Sequence, residues 1–481
     1  MRHRTDIRSE PMRAARAGPG RPGAPLCRGR RAAGRHRARG TVLIVTMWIL
    51  LVLAGLVLVL ARMVRVEGDR AANHVAAVQA VAVEQGAIQY VLASVDGLEG
   101  DVPTEADTPC EAIQVGDGLF WILRPASSDE STYPYGITDE ASKVDLNTAT
   151  PDMIARLPGM TTEFAASIVD WRDADSNVTP SGAENEYYLL LADPYECKNS
   201  PLETVGELFL VRGVTREIMF GRDTNRNDVV DLGESAASAT RSFSSSGSRV
   251  DLGIINYVTV FSSAAGGGTS GGAGLVNVNE PLPVALVGLL QSVVSADRLP
   301  GVLDRVRRER PFSNAMDFYY RAGLTMDEFQ KVANRITTGS GPNQASLINV
   351  NTAPKEVLLC LPGLEDGDVS ALISKRAGAE VDRTSVAWVA DVLPREKAVA
   401  VGGYLTAKTT RFSADIVSIP ASGRAFKRCW VVIDASASPP KVVYRQNLTH
   451  LGWPLSRDIM TRLRAGLPLE RTTQTLGRTI G

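Results

Sequence analysis

An α+β fold is predicted, with an N-terminal transmembrane and amphipathic helix, a middle built of small helical units, and short strands. Three observations predict it. Residues 41–61, TVLIVTMWILLVLAGLVLVLA, hold no charge. VDLNTATPDMIARLPGM from Val144 aligns without gaps with INVNTAPKEVLLCLPGL from Ile348. Short stretches of strand-like alternation, RFSADIVSI, FKRCWVVIDA and KVVYRQN, occur from Arg411 onward.

Composition sets the outer bounds. The chain has 481 residues, a formal net charge of −1 and 44% hydrophobic residues, which implies two or more globular domains. Twelve arginines sit in the first forty residues and leave the remainder acidic, so an overall basic nucleic-acid surface is excluded. Cys27, Cys110, Cys197, Cys360 and Cys429 show no Cys-x-x-Cys spacing, which argues against a zinc ribbon or a thioredoxin-like site. One disulfide among the last four is left open. Histidine is confined to His3, His36, His74 and His450, too few for a histidine-based triad or metal site.

At helical rise the uncharged run spans about 30 Å, the thickness of a bilayer core. A secretory signal would have a shorter apolar core and a small-residue cleavage site beyond it, whereas Arg62, Met63, Val64 and Arg65 come next here. The arginine-rich head fixes the orientation with the N-terminus cytoplasmic and everything after Ala61 exported. Val75, Val78, Val81, Ala82, Ile88, Val91 and Leu92 then recur at spacings of three and four, which continues the helix to about Ser94. GLFWILRPA at Gly118 and YGITDEASKVDL at Tyr135 read as the first strands.

The repeat matches Asn147, Thr148, Ala149, Leu157, Pro158 and Gly159 to Asn351, Thr352, Ala353, Leu361, Pro362 and Gly363. Thr148 and Thr352 are expected to cap the next helix, Pro151 and Pro354 to suit its first turn, and Leu-Pro-Gly to end it in a tight turn before a second helix. Each unit thus reads as a helix-hairpin-helix, of the SAM-like class. A weaker third copy starts at VNVNEPLPVALVGLL from Val276, and PLETVGELFLVRGVT at Pro201 has a relative of equal length in PFSNAMDFYYRAGLT at Pro311.

Helix-hairpin-helix units commonly hold a DNA phosphate on backbone N–H groups of a Gly-hydrophobic-Gly hairpin. A membrane-anchored DNA receptor of the competence type is therefore the alternative function. The second glycine is missing from both LPGMT and LPGLE, and Glu163, Asp170, Asp173, Asp175, Glu365, Asp366 and Asp368 flank them. Those carboxylates would repel a phosphate backbone.

One loop has metal-ligand spacing. In DTNRNDVVDLGE, Asp223, Asn225, Asn227, the Val229 carbonyl, Asp231 and Glu234 fall where an EF-hand-like calcium loop needs its oxygens. Asp228 takes the sixth position, normally glycine, and Val230 the apolar eighth. The expected cofactor is a structural calcium ion. Asp170, Asp173, Asp175, Glu184 and Glu186 form a further carboxylate cluster, readable as a solvated acidic loop or as a second calcium site, and no pocket-forming pattern recommends it for catalysis.

The head ends RHRARG, and Gly40 directly before the apolar run resembles the cleavage site of type IV prepilins and pseudopilins. The resemblance implies that a prepilin peptidase cuts after Gly40 and leaves Thr41 as the first mature residue. That family usually has Glu at the fifth mature position to neutralise a neighbouring subunit's amine. Here the position is Val45, which resembles general secretion pathway protein K, the minor pseudopilin at the tip. ITDEASKVDLNTA, LPGM, the run from IVDWRDADSN to LFLVRGVT, and INVNTAP look like signature segments of that family, in order. The resemblance implies a non-enzymatic part of a type II secretion system in the inner membrane, with its soluble part periplasmic, partnered by other minor pseudopilins. It also implies that the N-terminal helix lies on a small antiparallel pilin-like sheet completed by the C-terminal strands, with the helix-hairpin-helix repeats inserted as an all-α region.

The divisions expected are a basic leader at 1–40, the membrane helix at 41–61, and the amphipathic helix with first strands at 62–146. The first helical module with its calcium-type loop spans 147–234, and a linker and short strand take up 235–274. An extra helical module at 275–345, the second clear module at 346–410, and the C-terminal strands and tail at 411–481 complete the chain. The tracts ESAASATRSFSSSGS and SSAAGGGTSGGAG mark boundaries.

Overall fold

The computed structural model describes residues 39–104, 106–125, 134–223, 226, 253–262, 275–281, 283–339, 347–378 and 380–469. The chain divides into two units, residues 1–68 and 69–481. In the first unit the described residues are helical and their large apolar side chains, from Val42 to Val66, are exposed. They belong to α1 (Arg39–Val95), which is long and apolar enough to cross a membrane.

The second unit starts within α1. There the apolar residues recur at helical spacing, and Val83, Ala87, Ile88, Val91 and Val95 are buried against a sheet. The sheet begins with β1 (Ile113–Val115), β2 (Gly118–Leu123) and β3 (Thr138–Asp139). The segment from Tyr135, expected as one strand, is broken into two. After β3 a 3-10 turn over Glu140–Ser142 redirects the chain into β4 (Val144–Asp145), which pairs elsewhere. Asp139 causes the break, since its carboxylate accepts from the Ala141 N–H at 2.7 Å and caps the turn.

Three helical modules come next, on one plan. The first runs from β4 through α2 (Pro151–Ala155), α3 (Thr162–Arg172), α4 (Asn185–Tyr188) and α5 (Arg216–Phe220) to β5 (Val258–Thr259). The second runs from β6 (Val276–Asn277) through α6 (Val284–Gln291), α7 (Leu299–Glu309), α8 (Ala315–Ala322) and α9 (Met326–Val332) to β7 (Ile336–Thr337). The third runs from β8 (Ile348–Asn349) through α10 (Lys355–Leu358), α11 (Asp366–Arg376) and α12 (Arg395–Val401) to β9 (Leu405–Thr406). In each module the opening strand pairs in parallel with the closing one, as Val144 N–H does with the Tyr257 carbonyl at 2.8 Å and Ile348 N–H with the Tyr404 carbonyl at 2.7 Å.

The Leu-Pro-Gly turns sit between a short helix and an eleven-residue helix in both repeat copies. Gly159 has φ 71° and Gly363 φ 76°, a conformation that favours glycine. The capping differs from expectation. Thr150 and Pro354, which share one repeat position, are the N-caps, and Thr150 Oγ1 accepts from Met153 N–H. Thr352 lies too early to cap and donates instead to Asp139 Oδ2. Pro151 does open its helix.

Sequence reasoning missed the side chains that hold each module shut. Asn147 Oδ1 accepts from Leu202 N–H at 2.7 Å while its Nδ2 donates to the Leu202 carbonyl at 3.0 Å. Asn279 makes the same pair with Phe312, at 2.7 and 2.9 Å. The last-turn arginine of the second helix then clamps two carbonyls near the module's start. Arg172 reaches those of Leu146 and Ala149, and Arg376 those of Val350 and Ala353. The signal lay in the ungapped register, because Arg172 and Arg376 occupy the same place relative to Val144 and Ile348. Asn279→Ala strands the Phe312 amide groups, so a loss of about 2 kcal/mol is expected in urea denaturation.

The chain then returns to the sheet with β10 (Arg411–Ile419), β11 (Lys427–Asp434) and β12 (Lys441–Asn447). The order is β1-β2-β10-β11-β12, antiparallel throughout, with β3 beside the start of β10. Cys429, Val431 and Ile433 face α1 by strand alternation. On the other face Trp121 and Ile419 pack with Trp453, Phe426, Ile459 and Met460, the last two from α13 (Arg457–Arg464). The cysteines left open for a disulfide, Cys110, Cys197, Cys360 and Cys429, are buried and not joined to one another. Burial pushes the Cys197 thiol up to about 11 and that of Cys360 to about 12, far from reactive values.

Candidate functional site

The carboxylate cluster after α3 is solvated only in part. Asp170 and Glu184 are buried, and Asp173 is half-buried, while Asp175 and Glu186 remain exposed. The end of α3 supplies Asp170 and Asp173, and Glu184 is the N-cap of α4. The loop between them folds back because the Thr179 N–H donates to Asp170, at 3.1 Å to Oδ1. Gly182 is required there, since a Cβ would come within 2.0 Å of Asp170 Oδ2. Across the cluster, Cys197 Sγ is 3.8 Å from the Asp170 carbonyl, and Asn199 Nδ2 donates to the Asp175 carbonyl at 2.6 Å.

Three oxygens of this pocket, Asp173 Oδ1, Glu184 Oε1 and Asn199 Oδ1, are buried without a hydrogen-bond partner. Such atoms are costly unless something fills their coordination. Burial, and then the Asp175 carboxylate, raises the Asp173 carboxyl above the ordinary range. Burial raises Glu184 likewise, with Asp170 and Asp173 adding to it. The donor set is oxygen-only apart from Cys197, the chemistry of a hard cation. Among the described residues, no three His, Cys, Asp or Glu side chains stand in the arrangement of a ready-made metal cage. Burial and the neighbouring carboxylates thus favour the protonated forms of Asp173 and Glu184 more than solvent would.

Of the loop with EF-hand-like spacing, Asp223 is described and buried. Asn225, Asn227, Val229, Asp231 and Glu234 lie outside the described residues. Asp223 lines a cavity of about 180 Å³ with Lys143, Phe261, Trp430 and Tyr444, at the seam between the first module and the sheet. The Arg226 carbonyl accepts from Arg428 Nη2 of β11 at 2.6 Å. At the N-terminus, Gly40 and Thr41 lie in the first turn of α1, and Val45 is exposed one turn on.

Residues 153–220, which contain the acidic pocket, match the family model of type II secretion system protein K. This segment is similar to the protein K family. No curated protein matches the chain. Among solved structures, it is similar to a chain of the GspK-GspI-GspJ complex of the type 2 secretion system from enterotoxigenic Escherichia coli. That similarity is 13% in sequence and has a TM-score of 0.36, and it covers 76% of this chain and 93% of the other. The protein K segment thus spans α2 to α5, the helices of the first module.

Proposed function

We propose that the chain is a minor pseudopilin of a type II secretion system. The observation that carries this reading is the protein K segment at residues 153–220, set in an insertion behind an apolar N-terminal helix. On this reading α1 anchors the protein in the inner membrane with its soluble part in the periplasm. Prepilin peptidase removes the basic leader after Gly40. The protein has no catalytic task. It assembles with two other minor pseudopilins at the pseudopilus tip and starts pseudopilus growth. The repeated modules serve as helix-hairpin-helix scaffolding.

Val45 supports the tip position. Without a carboxylate there, the subunit has no group to neutralise the amine of a neighbour above it. Calcium is proposed as a structural ion, in the loop from Asp223 to Glu234 and in the pocket of Asp170, Asp173 and Glu184. The deciding experiment is affinity purification of the detergent-solubilised chain from cells expressing the same secretion operon. Two other minor pseudopilins are expected to co-purify in a complex that survives moderate salt. Recovery of the chain alone, or tight salt-dependent binding of duplex DNA, overturns the reading.

A further inference from the structure

Two apolar cores share no residue. The helical modules pack around one running from Val144 to Ala407, and α1 with the sheet around another formed by residues from Val83 to Ile137 and from Phe412 to Ile433. Apolar contact across the junction includes the half-buried ring of Phe261 against Trp430 and Tyr444, at centroid distances of 5.9 and 5.0 Å, and the two buried clusters themselves do not merge. Two consecutive carboxylates sit at that junction. Asp139 closes β3 opposite Phe412, and its Oδ2 accepts from Asn349 Nδ2 at 2.8 Å and from Thr352 Oγ1 at 2.6 Å, both in the third module. Glu140 is fully buried, and it accepts from the Thr259 hydroxyl of β5 in the first module and from the Ser413 hydroxyl of β10. Lys143 neutralises it from one turn on.

We propose that Asp139 and Glu140 form a two-sided clasp that sets the direction in which the helical insertion leaves the sheet, Asp139 gripping the third module and Glu140 the first. Neighbouring positions on a redirected backbone point different ways, so one short segment reaches both ends of the insertion. Taking charges out of water is unfavourable and adds little to stability, but hydrogen bonds to a carboxylate are directional. A buried ion pair at a boundary between two cores therefore serves orientation. The second module has its own polar ties to the third, through Asn314 to the Val399 carbonyl and Gln330 to the Asp382 carbonyl, and moves with it.

The test uses the full chain in detergent, with spin labels on Lys441→Cys in β12 and Arg308→Cys in α7, both exposed, and a pulsed dipolar measurement between them. The clasp predicts a narrow distance distribution in the parent and at least a doubling of its width in Asp139→Ala. Hydrogen exchange separates the two grips. Asp139→Asn, which keeps an oxygen to cap Ala141 and loses the one that accepts from Asn349 and Thr352, is expected to speed exchange at the Ile348 and Val350 amides about tenfold and leave Val144 and Leu146 unchanged, and Glu140→Gln to do the reverse. Where a single variant fails to fold, Glu140→Met with Lys143→Met removes both charges at similar volume, and a broadened distribution is expected from it too. An unchanged width in the variants that fold, or exchange rising equally at both ends, overturns the proposal.

Discussion

Chelation of calcium is expected to lower the melting temperature of the exported fragment, and to lower it more as the pH rises from 4 toward 7. The reason is the raised carboxyls of Asp173 and Glu184. A carboxyl whose pKa is raised on folding binds its proton more tightly in the fold than in the unfolded chain. In the ion-free protein, the contribution of these two groups is then greatest below the unfolded value of about 4, and falls as the pH rises through the folded values. A cation competes with those protons, so its stabilisation grows over the same window. At a hundredfold excess over the dissociation constant it reaches about 2.7 kcal/mol, a shift of several degrees. Glu184→Gln should flatten the pH dependence in chelator and remove the response from the pocket. Asp223→Ala and Glu234→Ala test the other loop by calorimetry, where each should abolish one binding event. Identical melting in calcium and in chelator at every pH, for the parent and all variants, would reject structural calcium here.

Gly40→Val is expected to leave an unprocessed precursor and to abolish secretion. The two residues at the cut, Gly40 and Thr41, sit at the start of the apolar run behind the basic flank, and a branched side chain at Gly40 blocks a peptidase that needs a small one. N-terminal sequencing of the mature protein should read Thr41 first. Cleavage after Ala61, or none at all, removes the pseudopilin reading. Val45→Glu should process normally, and while overexpression of the parent is expected to shorten pseudopili, overexpression of this variant should not.

The sequence by itself determined the elements that local pattern specifies. An uncharged run of this length specifies a helix long and apolar enough to cross a membrane, and RFSADIVSI is β10 residue for residue because a central strand is read from its own apolar content. The ungapped repeat set two helix pairs and their glycine turns, since positive φ at Gly159 and Gly363 is a local demand. The carboxylates after α3 looked solvated because spacing does not show that Asn199 and Cys197 close over them from the far side of the module. Thr352 looked like a cap because a local rule was applied to a residue whose partner, Asp139, lies on another element. Only the tertiary structure decided that two-residue strands such as β4 and β5 pair, that the modules share one core, and that Asp139 and Glu140 face different modules. A contact between residues distant in the chain forms only when the intervening helices bring its two ends together, and nothing in either short strand alone encodes that approach.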